Sequence, residues 1–150
     1  MIVDTSALVA LLRDEPEAAA FARLLRAAPR RLLSAASYVE LAAVIDGRDD
    51  PVVSGAFDAW LAAWGIEVAP FTVEQARIAR AACRRFGRGS GHPARLNLGD
   101  CFAYALARDL GEPLLFKGAD FALTDIELVT EPVREKRLSE IVARYGAAGA

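Results

Sequence analysis

The chain has 150 residues, 54% hydrophobic and 25% charged, with a net charge of −2. That length suits one domain with one real core, and the composition excludes a disordered or fibrous chain. The balance excludes a broadly basic nucleic-acid coat, yet it is uneven: residues 1–75 hold 6 Arg against 11 acids, residues 76–150 hold 12 Lys and Arg against 9 acids.

Ile2-Val3 is a short apolar run, expected as a first strand. Asp4-Thr5-Ser6 are helix-capping types, and Ala7 to Leu12 follows as a helix. Asp14-Glu15-Pro16-Glu17 breaks it and opens a second helix from Ala18 to about Ala28. Arg31 to Ser34 reads as a second strand. Ser37 then caps a helix to about Ile45, with Glu40 at capping-box spacing. A loop over Asp46 to Pro51 precedes a helix holding Trp60 and Trp64, then a strand at Ile66 to Val68.

Thr72 caps a helix from Val73 to Phe86, and Arg88 to Pro93 is a loop. Leu98-Gly99-Asp100 opens a helix to about Leu110, closed by Gly111. Leu114 to Phe116 is a strand, Lys117 to Asp120 a turn, and Glu127 to Val129 a last short strand. Leu138 to Tyr145 forms a terminal helix at the periphery. Short apolar strands alternating with longer helices predict an α/β fold with a parallel sheet and helices on both faces.

Two cysteines, Cys83 and Cys101, are too few for a disulfide framework and form no zinc-type pair. The Met1-Ile2-Val3-Asp4 opening lacks a signal-peptide pattern, and no uncharged apolar run approaches a membrane span. The expected location is the cytoplasm, away from membranes.

In an open parallel sheet, ligands bind beyond the carboxyl ends of the strands. Asp4 and Asp120 each follow a strand, Asp100 opens a helix, and Glu40 lies in the first turns of another. Each has a plainer reading: a helix cap for Asp4, a dipole-complementing acid for Asp100, a capping box for Glu40, a turn residue for Asp120. Glu40 and Asp100, however, interrupt apolar segments, where an acid needs a partner. Two carboxylates about 5 Å apart repel by roughly 3 kcal/mol at an effective dielectric near 20. A cluster of four therefore calls for protonation or a cation. All-oxygen ligands select Mg²⁺ or Mn²⁺, and such an ion suits phosphate chemistry by activating water and neutralising developing charge.

Ile2-Val3-Asp4-Thr5-Ser6-Ala7-Leu8, Ser37-Tyr38-Val39-Glu40-Leu41, Leu96-Asn97-Leu98-Gly99-Asp100-Cys101-Phe102-Ala103-Tyr104 and Lys117-Gly118-Ala119-Asp120-Phe121 together resemble the four motifs of the PIN domain, in the version found in VapC-type toxins. The resemblance spans about residues 1–130, with 131–150 as a peripheral tail. It implies a Rossmann-like α/β/α sandwich with four to five short parallel strands. It also implies a metal-dependent endoribonuclease whose site a small VapB-type antitoxin blocks, and a homodimer. Asp4, Glu40, Asp100 and Asp120 match the family's acidic, metal-holding positions. Thr5 or Ser6 would orient Asp4 or a water, Asn97 would hydrogen-bond a carboxylate or substrate, and Asp125 is a candidate accessory acid.

Arg77, Arg80, Arg84 and Arg88 form one stripe if their helix persists, flanked by Arg85 and Arg95. A solvated helix face is the ordinary account; the functional one is a track for RNA backbone, with Arg88 and Arg95 reaching the substrate. His92, the only histidine, tempts as a base but sits in a Pro-flanked loop. Trp60 and Trp64 read as core or, with Leu8, Leu11 and Leu12, as a partner groove. A housekeeping RNA-processing nuclease and a catalytically silent PIN module are the rival functions on this fold. A haloacid-dehalogenase-like phosphatase is a third, but Asp4-Thr5-Ser6 lacks that chemistry's second Asp.

Overall fold

A computed structural model describes residues 1–47 and 51–129. The expected terminal helix and the 131–150 tail lie outside the described residues. Four strands form one parallel sheet: β1 (Ile2–Val3), β2 (Arg31–Ser34), β3 (Ile66–Ala69) and β4 (Leu114–Leu115), in the order β3-β2-β1-β4. β1 and β4 are two-residue strands with both residues buried, as the apolar runs dictate.

The helices are α1 (Thr5–Leu12), α2 (Ala18–Ala27), α3 (Ala35–Asp46), α4 (Pro51–Ala63), α5 (Val73–Phe86) and α6 (Leu98–Leu110), with a 3₁₀ turn at Phe121–Leu123. Alternate strand residues point to opposite faces. Val3, Leu33 and Leu115 pack with the buried sides of α1 to α4, including Leu8, Leu25, Leu41 and Leu61. Ile2, Leu32 and Leu114 pack on the other face with Ala82, Phe86, Tyr104 and Leu106 of α5 and α6. The result is the expected three-layer α/β/α sandwich.

Two expectations change. Ser37 is no cap: α3 begins at Ala35 directly after β2, with Ser34 as N-cap, so Ser37 is a buried residue inside the helix and the Ser37–Glu40 capping box does not form. The Glu127 to Val129 strand reduces to one parallel bridge, Leu114 to Leu128, held by Leu114 N–H to Glu127 O (2.9 Å) and Val129 N–H to Leu114 O (3.0 Å). Elsewhere the boundaries follow local chemistry. Thr72 accepts the Gln75 N–H at the start of α5, and Gly111 takes the left-handed conformation (φ 63°) that ends α6. Among the described residues, no helix is long and apolar enough to cross a membrane.

Candidate active site

The chain runs outward from β1 through β2 to β3, then returns to place β4 on the far side of β1. The order therefore reverses between β1 and β4, and a crevice opens beyond their carboxyl ends. Asp4 stands there, as the residue after β1 and the N-cap of α1. Its Oδ2 accepts the Ser6 backbone N–H (2.9 Å) and the Ser6 hydroxyl (2.6 Å). The same Ser6 Oγ accepts the Lys117 N–H (2.9 Å), so the loop after β4 is latched to the start of α1. Asp4 is 2% exposed, and its Oδ1 is buried with no partner among the described residues. Burial pushes its pKa up, and the hydrogen bonds from Ser6 and Thr5 only partly oppose that.

Glu40 approaches from the second turn of α3. Its carboxylate rests against Gly99 in the first turn of α6; a β-carbon built at Gly99 would stand 2.6 Å from Oε1. Partial burial and then the Asp4 charge raise its pKa. Asp100 lies one residue on, and closes a reciprocal cap with Asn97: its Oδ2 accepts the Asn97 N–H (2.7 Å) while Asn97 Oδ1 accepts the Asp100 N–H (2.9 Å). The Asp100 pKa is raised to about 6, first by burial and then by the charges of Asp4 and Asp120; the Asn97 N–H and Arg88 act the other way. Asp120 is exposed in the turn after β4. All four acids are thus within electrostatic reach of Asp4 or Asp100.

Positive charge is scarce in the crevice. Lys117 turns away, its Nζ 2.7 Å from Glu15 and 3.0 Å from Glu17. Arg88 is the basic group that acts on Asp100. A buried unpartnered oxygen, three carboxylates with raised pKa values and an all-oxygen donor set fit a hard divalent cation. Among the described residues, no three His, Cys, Asp or Glu side chains stand placed to hold one ion together. The fit is therefore to an ion held directly by fewer side chains, with water filling the remaining positions, as Mg²⁺ prefers.

The other expected residues divide. Thr5 contributes its backbone N–H, whereas Ser6 supplies the side-chain bond. Asn97 orients Asp100. Asp125 is engaged elsewhere: Oδ1 accepts the Tyr104 hydroxyl (2.6 Å) and Oδ2 pairs with Arg85 (2.9 Å). It is not among the charges acting on Asp100. α5 ends at Phe86, so Arg88 leaves the helical stripe and enters a loop whose ends meet through the Gly87–Leu96 bridge. Arg88 and Arg95, both exposed, flank the neck of that loop. His92 packs edge-on against Phe86, and its Nδ1 accepts the Ala94 N–H (3.2 Å), so it serves the loop.

Trp60 and Trp64 continue a row of rings from Tyr38 and Phe57, and Arg26 covers Trp64. Leu8 is fully buried core, while Leu12 is 38% exposed. Two contributions were invisible to motif reading: the seat that Gly99 makes for Glu40 and the Ser6–Lys117 latch. A glycine in the first turn of an otherwise well-formed helix was the available signal for the first.

Residues 1–127 match the PIN domain family. The chain is 57% identical over 127 residues to Ribonuclease VapC28 of Mycobacterium tuberculosis, covering 85% of this chain and 96% of that protein. Among solved structures it resembles the Mycobacterium tuberculosis VapC20, described as a sarcin-ricin loop cleaving toxin (TM-score 0.68, 20% identity, 87% of this chain and 98% of that one). It also resembles a chain of a toxin-antitoxin complex from Klebsiella pneumoniae (TM-score 0.64, 20% identity, 86% and 95%).

Proposed function

The chain belongs to the PIN domain family, and on that premise we propose that it is a metal-dependent endoribonuclease, the toxin of a toxin–antitoxin pair. The observation that carries this reading is the buried, unpartnered Oδ1 of Asp4 at the centre of four acids. The relative at 57% identity is named a ribonuclease and covers nearly the same span. Asp4, Glu40, Asp100 and Asp120 are the residues that would hold Mg²⁺ or Mn²⁺, at most two of them directly and the others through water. Bound there, such an ion supplies charge neutralisation at a phosphodiester and favours ionisation of water.

The chain's own residues do the rest. Ser6 fixes the Asp4 carboxylate, and Asn97 fixes that of Asp100. Glu40, with its raised pKa, accepts a proton from the attacking water. Arg88 and Arg95 hold flanking phosphates at the loop neck. A VapB-type antitoxin would cover the crevice beside the exposed apolar residues Val39 and Val44 of α3 and Leu12 of α1. A homodimer in the cytoplasm is part of the same reading.

The test is cleavage of a set of structured and single-stranded RNAs with Mg²⁺ or Mn²⁺, with EDTA, and with Asp100→Asn. Metal-dependent cleavage lost in Asp100→Asn supports the reading. Cleavage that persists in EDTA, or full activity of that variant, overturns it.

A further inference from the structure

The loop neck is not the end of the basic surface. Gln75 Nε2 bonds Asp109 Oδ2 (2.9 Å) at the start of α5, while Arg88, just past its end, acts on Asp100. Asp109 and Asp100 lie at opposite ends of α6, so α5 runs antiparallel to it and climbs towards the crevice. Its arginines therefore approach Asp100 in the order Arg77, Arg80, Arg84, Arg88. Gln75, Ala79, Ala82 and Phe86 are the buried face of α5, so Arg77, Arg80 and Arg84 share the opposite, outward face.

These arginines are not equivalent. Arg77 pairs with Glu74 (3.1 Å), and Arg85, on the flank, pairs with Asp125. Arg80 and Arg84 are exposed and, among the described residues, have no acid within ion-pair distance. A face that serves only solubility interleaves both signs. Here Glu74 is the single acid of the helix. The helix dipole favours Arg84 in the last turn but gives no reason for Arg80 one turn earlier.

We propose that Arg80 and Arg84 form a second RNA-backbone contact, which carries the strand from the loop neck down the outer face of α5. They stand about one helical turn apart, roughly 6 Å at 1.5 Å per residue, a step on the scale of one nucleotide of extended strand. Arg77, held by Glu74, closes the far end. The substrate accordingly lies across the protein on one side of the scissile bond, anchored by backbone charge without reading bases. This inference rests on the ribonuclease reading.

The experiment measures binding of a mixed-sequence single-stranded RNA longer than the roughly 16 nucleotides that a small single-strand fold covers. Binding is followed by fluorescence anisotropy in EDTA over a salt series. Wild type is compared with Arg80→Ala/Arg84→Ala, with the charge-keeping Arg80→Lys/Arg84→Lys, and with Arg13→Ala/Arg30→Ala as a charge-matched control. Loss of two phosphate contacts makes the slope of log K against log salt shallower by about 1.4. That change is expected in the first variant alone, with binding weakened several-fold at low salt. A slope equal to wild type in that variant overturns the track while leaving the ribonuclease reading standing. The stripe is then a solvated face or a seat for an acidic protein segment. No binding of any RNA by wild type, together with no cleavage in Mg²⁺ or Mn²⁺, overturns both.

Discussion

The carboxylate of Glu40 occupies the space that a side chain at position 99 would need: Gly99 is the seat on which α3 delivers its acid to α6. Gly99→Ala separates geometry from stability. Alanine favours a helix over glycine by roughly 0.5–1 kcal/mol, and the atoms it displaces are the free end of a flexible side chain. The expected result is a melting temperature at or near wild type with RNA cleavage reduced about tenfold or more, the 1.4 kcal/mol scale of a misplaced catalytic group. A variant that cleaves normally would show that Glu40 works from another position.

Asp100 makes the metal-free protein pH-sensitive. Its folded pKa of about 6 stands above the ordinary 3.8, so folding favours the protonated form. The stabilising contribution is complete below the ordinary value and is lost as pH rises through about 6. Asp100→Asn removes the charge that folding disfavours. In thermal unfolding without metal, the variant should be more stable than wild type near neutral pH, and the advantage should vanish on acidification below about pH 4. An unchanged difference across that range would place the repulsion elsewhere.

Divalent cation should reverse the sign of that comparison. An ion bound to the native state alone stabilises by about 2.7 kcal/mol at one hundred times its dissociation constant. Wild type should therefore gain thermal stability with Mn²⁺ or Mg²⁺ and lose the gain with EDTA. Asp4→Asn should show no such shift, because the buried Oδ1 is the atom that lacks a protein partner.

Much of the fold was legible because its signals are local. The α5 boundaries follow from Thr72 and the period of its apolar residues, and those of α6 from Leu98-Gly99-Asp100 and Gly111. The four acids were legible as residues placed just after strands or at helix starts. What escaped was relational. Ser37–Glu40 has true capping-box spacing, but β2 runs into α3 without a linker, so the helix begins three residues earlier than the motif suggests. Lys117 lies beside Asp120 in sequence yet pairs with Glu15 and Glu17, because the α1–α2 connection brings two acids under its side chain. The arginine stripe loses Arg88 where α5 stops at Phe86.

Asp125 offers a clean contrast with the four acids. Its bonds to Tyr104 and Arg85 tie the segment after the 3₁₀ turn to α5 and α6. Burial first, and then the hydrogen bond and charge of Asp125, push the Tyr104 pKa up to about 12. Asp125→Asn should lower stability by about 1 kcal/mol, as for one hydrogen bond weakened from its charged form. RNA cleavage per folded molecule should stay within twofold of wild type. A large loss of turnover in a well-folded variant would restore Asp125 as an accessory acid.

The pairing of β4 with β1 has a consequence in time as well as in space. The Lys117 N–H that latches Ser6, the partner of Asp4, and Asp120 beyond it are synthesised more than a hundred residues after Asp4. Until β4 has docked against β1, the acids are separate side chains on an incomplete sheet. A chain that stops short of β4 and Asp120 therefore carries no assembled crevice, and the acids come together only in a molecule whose sheet is closed on both sides of β1.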